Sequence, residues 1–257
     1  MLISAPDIIK QSWYLYAKHW KKLLPYMGWL LIPNVILGLS GLISLYLDKY
    51  IKVGPFILIN NIVITAIFVA SIVFSLWVTI ATTKFLKETI TNQPTIQFKE
   101  NLMVTSTLLW PVIYTSVFVM LIVAGGTLLL IIPGIIFSVW YAFAFYAVIF
   151  DNQKGTKAMQ FSKNLVTGRW WIILLRLAVP SIFFGLILVT INYIINFGLN
   201  FILTDSAYTV ITGLLTSTVN VLIAPLTALT GILLYLSAKE NPVQIIPPPT
   251  NITPQTK

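Results

Sequence analysis

The chain has 257 residues and a net charge of +9, with 58% hydrophobic and only 9% charged residues. Soluble domains carry about 25% charged residues, and so small a charged share cannot cover the surface of a soluble protein of this length. The composition therefore excludes a soluble globular enzyme and a disordered chain, and it predicts an integral membrane protein.

Stretches without charged residues indicate the membrane spans, because a charge at the bilayer centre costs about 2.5–3.5 kcal/mol. A span needs about 20 apolar residues. The stretch over 101–150 is long enough for two spans. Pro133 with Gly134 predicts a break between them, and Gly125 with Gly126 is an alternative position for the break. We predict an all-α polytopic membrane protein with six transmembrane helices, near 24–47, 55–83, 105–131, 135–151, 170–202 and 207–238. They form one domain over 1–240, and a flexible Pro-rich tail follows over 241–257.

The basic residues predict the orientation of these helices. With six spans, fourteen Lys and Arg residues lie on the side of the two termini, and only Lys49 and Lys52 lie on the other side. Basic residues accumulate on the cytoplasmic side of membrane proteins, so both termini and the tail are expected in the cytoplasm. The positive net charge is then a topology signal, and we expect no nucleic-acid partner.

The segment before the first span, over 5–22, has the pattern of an amphipathic helix. Apolar residues recur at helical spacing, and the lysines lie elsewhere on the helix; the apolar set is Ile9, Trp13, Tyr16, Trp20 and Leu23. Such a helix lies in the headgroup region of the bilayer. The alternative is a first transmembrane helix that begins with a long basic segment.

A second amphipathic helix is predicted on the cytoplasmic side over 154–168. Ala158 and Ser162 share one face with Phe161 and Leu165, and the lysines lie away from it. The predicted contact surface for anionic phospholipid or for a membrane or cytoplasmic protein partner consists of Lys154, Lys157, Lys163, Arg169 and Trp170. The alternative is a solvated connector whose lysines only follow the charge rule.

A motif extends from the third span to the end of this helix. Its residues are Pro133, Gly134, Asp151, Gly155, Ala158, Ser162 and Gly168, with an aromatic run between Gly134 and Asp151. The motif resembles the bacterial six-span membrane family labelled glycerophosphoryl diester phosphodiesterase membrane domain, which includes uncharacterised stand-alone relatives. Ala147 stands where that family often has proline, and Asp151 stands where it usually has glutamate. The resemblance implies a bacterial plasma membrane module that sometimes accompanies the phosphodiesterase. We expect no catalytic phosphodiesterase domain here, because spans and short loops account for the 257 residues and the chain has one histidine.

The motif residues also have a structural interpretation. Pro133 is expected to end the third span, and Gly134 to allow a tight turn. Asp151 is expected to cap the amphipathic helix or to pair with Lys154 or Lys157. The small Ala158 and Ser162 side chains are expected to let that helix lie close against the bundle.

Asparagines form a stripe on the fifth span. Asn192, Asn196 and Asn200 are four residues apart, and in an antiparallel hairpin they face the region of Asn220 on the sixth span. One interpretation is hydrogen bonding between the two helices. The other is a polar cavity, open to the outside, for a small molecule or a lipid headgroup.

The sequence offers no catalytic constellation. Cysteine is absent and His19 is the only histidine, so we expect no metal, no cofactor and no enzymatic activity. The predicted spans have no charged residue near their middle, which disfavours ion-coupled transport. The preferred function is a non-enzymatic membrane module that organises lipid or a partner protein. The alternative is a small-molecule or lipid transporter that uses the asparagine-lined cavity.

Overall fold

The computed structural model describes residues 2–50, 54–201 and 205–242, without the side chains of 45–50, 54, 56, 205–207, 209 and 210. Most of the predicted tail over 241–257 lies outside the described residues. Within those ranges every regular element is an α-helix. The helices are α1 Ala5–Tyr50, α2 Gly54–Ile90, α3 Phe98–Leu129, α4 Ile131–Trp140, α5 Ala144–Asp151, α6 Thr156–Val166, α7 Trp170–Asn200 and α8 Asp205–Glu240.

The structure confirms the predicted class, an all-α polytopic membrane protein. Six helical segments are long and apolar enough to cross a membrane, and α4 and α5 together form the fourth of them. The segments are Ala5–Ser44, Ile57–Ile90, Phe98–Leu129, Ile131–Asp151, Trp170–Asn200 and Ile211–Glu240.

Helix α1 is continuous from the N-terminal segment through the first span. It has 46 residues, about 70 Å at 1.5 Å per residue. The separate interfacial helix predicted over 5–22 is therefore the first part of α1. Ile8, Ser12 and Leu23 are fully buried against the bundle, whereas Trp13 and Trp20 are 56% and 45% exposed. Of the predicted apolar face only Leu23 is buried, and the residues that pack on the bundle over the first turns are Ile8 and Ser12, which were not in the predicted set.

The turn between the third and fourth spans lies earlier than predicted. Helix α3 ends at Leu129, and Leu130 is extended with φ −160° and ψ 143°. Pro133 lies in the first turn of α4, so the prediction that it ends the third span is wrong. A proline is tolerated there because the first N–H groups of a helix have no intrahelical partner. Gly134 lies against α3, where an added Cβ would be 3.0 Å from Thr127 Cα.

The fourth span, predicted as one helix over 135–151, is broken. Helix α4 ends at Trp140 and α5 begins at Ala144. Phe143, in the break, is fully buried. Helix α6 docks at this break, where Ser162 hydrogen-bonds to the Phe143 N–H and the Trp140 carbonyl.

Helix α8 is the centre of the bundle at the end where both described termini lie. Its side chains there are almost fully buried against α1, α5 and α7; they include Leu229, Ile232, Leu234, Tyr235 and Ala238. At the same end, the buried Asn101 amide of α3 donates hydrogen bonds of 2.8 Å to Tyr26 Oη on α1 and to the Ala81 carbonyl on α2. We call this end of the bundle the basic end, because α6 and its lysines lie there.

Two glycines of α8 are expected to respond oppositely to alanine. At Gly231 an added Cβ would lie 2.8 Å from Tyr146 Cζ, whereas at Gly213 it would meet nothing within 4 Å. Gly231→Ala is expected to destabilise the fold by about 1–3 kcal/mol through overpacking. Gly213→Ala is expected to be neutral or to stabilise by about 0.5–1 kcal/mol, because glycine loses more backbone entropy in a helix. Thermal unfolding in detergent compares the two, and equal effects would contradict this packing.

Candidate functional site

Helix α6 lies at the basic end with its small residues inward. Ala158 and Ser162 are fully buried, and Met159 is 5% exposed. Lys154, Lys157 and Lys163 are all exposed. The helix therefore presents the lysines outward and the motif residues to the bundle, in the arrangement that the helical pattern predicts.

The start of α6 is held by Gly155. Its φ of +55° is in a region that favours glycine, and its N–H donates a hydrogen bond of 2.8 Å to Thr115 Oγ1 on α3. An added Cβ would lie 3.1 Å from the Tyr114 ring. A side chain is thus disfavoured at Gly155 both by backbone conformation and by contact. Gly168, with φ +82°, makes the corresponding turn between α6 and α7.

Ser162 joins α6 to the break between α4 and α5. Its hydroxyl accepts a hydrogen bond of 3.0 Å from the Phe143 N–H and donates one of 2.7 Å to the Trp140 carbonyl. A broken helix leaves backbone groups without intrahelical partners, and such groups are costly inside a membrane protein. Ser162 therefore satisfies the backbone groups that the break exposes. The sequence pattern predicted only that its small side chain would face the bundle.

Asp151 pairs with α8 and not with α6. Its carboxylate accepts hydrogen bonds from Tyr235 Oη and Lys239 Nζ, and its side chain is only 14% exposed. The predictions that Asp151 caps α6 or pairs with Lys154 or Lys157 are wrong. Asp151 is the last residue of α5, and α5 ends beside the last turns of α8, which carry both donors.

Arg169 is an interior residue, although the sequence analysis placed it on the contact surface. It is 8% exposed, and its guanidinium donates to the carbonyls of Leu165 at 2.7 Å, Ala238 at 2.6 Å and Asn241. The C-terminal carbonyls of a helix carry partial negative charge, which a cation stabilises. Burial, and then the nearby Arg176, lower the pKa of Arg169, but arginine stays protonated in proteins. Arg169 thus joins the ends of α6 and α8.

Helices α4 and α7 border an apolar groove next to α6. We call it the tryptophan groove, and its volume is about 650 Å³. Its lining includes Ile132, Ile135, Trp140, Trp170, Trp171 and Leu174. Trp170 is half-buried and its indole N–H donates a hydrogen bond of 3.4 Å to the Ile136 carbonyl. Lys163 Nζ lies 4.5 Å from the centre of the Trp140 ring, so one lysine of α6 stands at the groove.

The asparagine stripe connects α7 to α8. Asn192 Nδ2 donates to Asn220 Oδ1 at 3.3 Å, and Tyr208 Oη donates to Asn196 Oδ1 at 3.3 Å. Asn196 Nδ2 donates to the Asn192 carbonyl of its own helix at 2.7 Å. Asn200 is exposed at the end of α7. These contacts favour the interpretation that the stripe pairs the two helices.

Removing the contact between α7 and α8 is expected to have a small effect. A hydrogen bond between membrane helices contributes about 0.6 kcal/mol. Asn192→Leu and Asn220→Leu should each change stability by less than about 1 kcal/mol, and their coupling in a double-mutant cycle should be about 0.6 kcal/mol. Thermal unfolding of the parent, the two single variants and the double variant measures this coupling. Labelling of an Asn196→Cys variant by a water-soluble maleimide would instead indicate a hydrated cavity.

A second cavity lies toward the opposite end of the bundle, between α1, α2 and α8. Its volume is about 610 Å³, and its lining includes Asn34, Gly38, Gly41, Ser44, Gly213 and Ser217. We call it the distal cavity. Asn60 Nδ2 donates a hydrogen bond of 2.8 Å to Ser44 Oγ at its edge. The rest of the lining is apolar, so this cavity suits an apolar molecule with few polar groups.

The described part of the chain contains no group of three His, Asp or Glu side chains that could hold a metal ion. Comparisons of the chain with protein-family models, with curated proteins and with solved structures found no match. The fold therefore defines a class of protein, a polytopic α-helical membrane protein.

Proposed function

We propose that this protein is a non-enzymatic membrane module that binds anionic phospholipid on the outer face of α6. The observation that carries the proposal is that one face of α6 is docked on the bundle and the opposite face is exposed. Gly155, Ala158 and Ser162 hold the start and the inner face of the helix against the bundle. Lys157 and Lys163 on the helix, and Lys154 just before it, are exposed. A basic helix fixed in this way presents preorganised positive charge to the surface of a membrane.

The lysines of α6 are available for such a ligand. Among the described residues the one ion pair joins Asp151 to Lys239, so the acid nearest to α6 in sequence is already engaged by α8. Each lysine near an anionic leaflet contributes about 1 kcal/mol. Lys157 and Lys163 on α6, with Lys154 just before it, are therefore enough to give a preference for anionic over zwitterionic lipid.

We place the protein in a bacterial plasma membrane with both termini in the cytoplasm. The bias in basic residues supports this orientation, which puts α6 at the anionic cytoplasmic leaflet, and the motif resemblance supports a bacterial membrane. Reporter fusions after Lys99 and after Gly155 are expected to report the cytoplasm, and a fusion after Lys52 the outside. A cytoplasmic signal at Lys52 would contradict the orientation.

Lipid binding is tested with Lys154, Lys157 and Lys163 changed together to Gln. The protein is equilibrated in detergent with phosphatidylglycerol and phosphatidylcholine, and the ratio of the two retained lipids is measured. We expect the ratio to fall at least fivefold at low salt, the factor that corresponds to the loss of about one lysine contact. The change of all three to Arg is the matched control and should retain the parent ratio. An unchanged ratio in the Gln variant would overturn the proposal.

The distal cavity favours a second candidate function, the transport of a lipid or an apolar small molecule. Gly38→Leu is expected to narrow it, because an added Cβ there meets nothing within 4 Å and the side chain can extend into the cavity. In proteoliposomes, fluorescent phosphatidylglycerol would move between leaflets with the parent protein and not with this variant. Equal rates with and without the protein would remove this candidate.

A further inference from the structure

We propose that the tryptophan groove binds one anionic phospholipid, with an acyl chain between α4 and α7 and its phosphate at Lys163. This inference rests on the proposed function and identifies the site and the pose of the lipid. It follows from the arrangement of one charged, several aromatic and several aliphatic side chains along a single groove.

The side chains along the groove change from charged and aromatic at one end to aliphatic at the other, as a lipid changes from headgroup to acyl chain. Trp140, Trp170 and Trp171 lie at the end next to α6, and Ile132 and Ile135 lie farther along α4. Trp140 lies eight residues after Ile132, about 12 Å farther along the helix. Tryptophan side chains contact both headgroups and hydrocarbon, so the tryptophan end of the groove suits the polar part of a lipid and the isoleucine end suits an acyl chain.

The groove is open on the side that faces the bilayer. Ile132 is 70% exposed, Ile135 is 45% exposed and Trp171 is 71% exposed, although all three are apolar. Its volume of about 650 Å³ is in the range of ligand pockets, about 300–1,000 Å³. The long, open and apolar shape suits an extended chain better than a compact polar molecule.

Lys163 provides the charge complementarity that selects an anionic lipid. Its ammonium group lies 4.5 Å from the Trp140 ring, which holds it over the end of the groove. Its position in the last turn of α6 is fixed by the buried neighbours Ser162 and Val166. A phosphate here would pair with Lys163 while the glycerol and the first methylenes of the chain contact the tryptophans.

The test counts bound lipids by native mass spectrometry. The full chain is purified in a mild detergent and equilibrated with equal amounts of dioleoyl phosphatidylglycerol and dioleoyl phosphatidylcholine. The parent protein is expected to retain one phosphatidylglycerol. Ile135→Trp fills the groove and should lower this occupancy at least fivefold. Leu186→Trp is the matched control, because Leu186 is an exposed α7 residue, 62% accessible, outside the groove.

The charge is tested separately at the end of the groove. Lys163→Gln should lower the preference for phosphatidylglycerol about fivefold, and Lys163→Arg should restore it. If Ile135→Trp does not fold, Ile132→Phe blocks the same groove at a more exposed position.

The outcomes separate this inference from the proposed function. If the triple Gln variant of α6 loses phosphatidylglycerol while Ile135→Trp retains it, the groove is not the site and the proposed function stands. If the triple variant also retains it, both fail. If the parent protein is a dimer without bound lipid and the Ile135→Trp variant is a monomer, a second copy of the chain occupies the groove. That result would overturn the inference.

Discussion

Arg169→Met is expected to destabilise the protein by about 3–5 kcal/mol. The guanidinium donates to the carbonyls of Leu165, Ala238 and Asn241. A hydrogen bond to a charged group contributes about 1.5–3 kcal/mol, and water can replace part of the loss at a helix end. Methionine keeps the apolar stem and removes every donor, so the ends of α6 and α8 lose their common partner.

Thermal unfolding in detergent measures the loss of stability, and limited proteolysis near Ala238 reports whether the end of α8 detaches. Arg169→Lys keeps the charge but replaces the planar fork by a point charge, so it should recover only part of the stability. Lys157→Met is the control, because that lysine is exposed and its loss should change stability by less than about 0.5 kcal/mol. A methionine variant at 169 as stable as the parent would show that the guanidinium does not hold α8.

Ser162→Leu is expected to have the second large effect, a loss of about 3–5 kcal/mol in the free energy of unfolding. The substitution removes the hydroxyl that serves the Phe143 N–H and the Trp140 carbonyl, and each buried group left unsatisfied costs about 1–3 kcal/mol. It also forces a larger side chain into a fully buried position, which adds about 1–3 kcal/mol. Ser162→Ala separates the two causes, because it removes the hydrogen bonds without adding volume.

The exposed residues of the same helix provide the controls for Ser162. Gln160→Ala and the change of Lys154, Lys157 and Lys163 to Gln should leave the midpoint of thermal unfolding near that of the parent. If the Leu variant unfolds at the parent temperature while the Gln set is destabilised, α6 does not dock by Ser162.

These two residues explain how α6 can act as a binding surface. Ser162 holds the middle of the helix to the α4–α5 break, and Arg169 holds the segment after it to α8. Lys157 and Lys163 therefore project from a helix that is held at both of these points, which would lower the cost of ordering the protein in the proposed lipid complex. The same contacts place Lys163 at the tryptophan groove, so the charge and the groove keep a constant relative position.

The motif residues were found in the sequence, but their roles were found only in part. Ala158 and Ser162 were predicted to face the bundle because amphipathicity is a local property of one helix. The hydrogen bonds of Ser162 were not predictable from that pattern, since its partners belong to a helix break about twenty residues earlier. Tyr235 and Lys239 were missed as partners of Asp151, because nothing local to α8 indicates which acid its last turns meet.

The sequence by itself determined the class of protein and the number of spans. Both depend on local quantities, a run of about 20 apolar residues and the exclusion of charges from it, which need no knowledge of neighbouring helices. The presence of α6, and the faces that carry its small residues and its lysines, were predicted in the same way from the helical spacing of its own residues.

The tertiary structure alone decided which apolar face is buried. Lipid and protein interior are both apolar, so hydrophobic periodicity does not separate them in a membrane helix. On α7 the sequence does not distinguish Ile173, which is fully buried, from Leu175, which is 59% exposed. Arg169 is the clearest case: its charge predicted a surface residue, but carbonyls at the end of α8, about seventy residues later, receive its donors. Only the packing of α8 against the start of α7 brings those groups together.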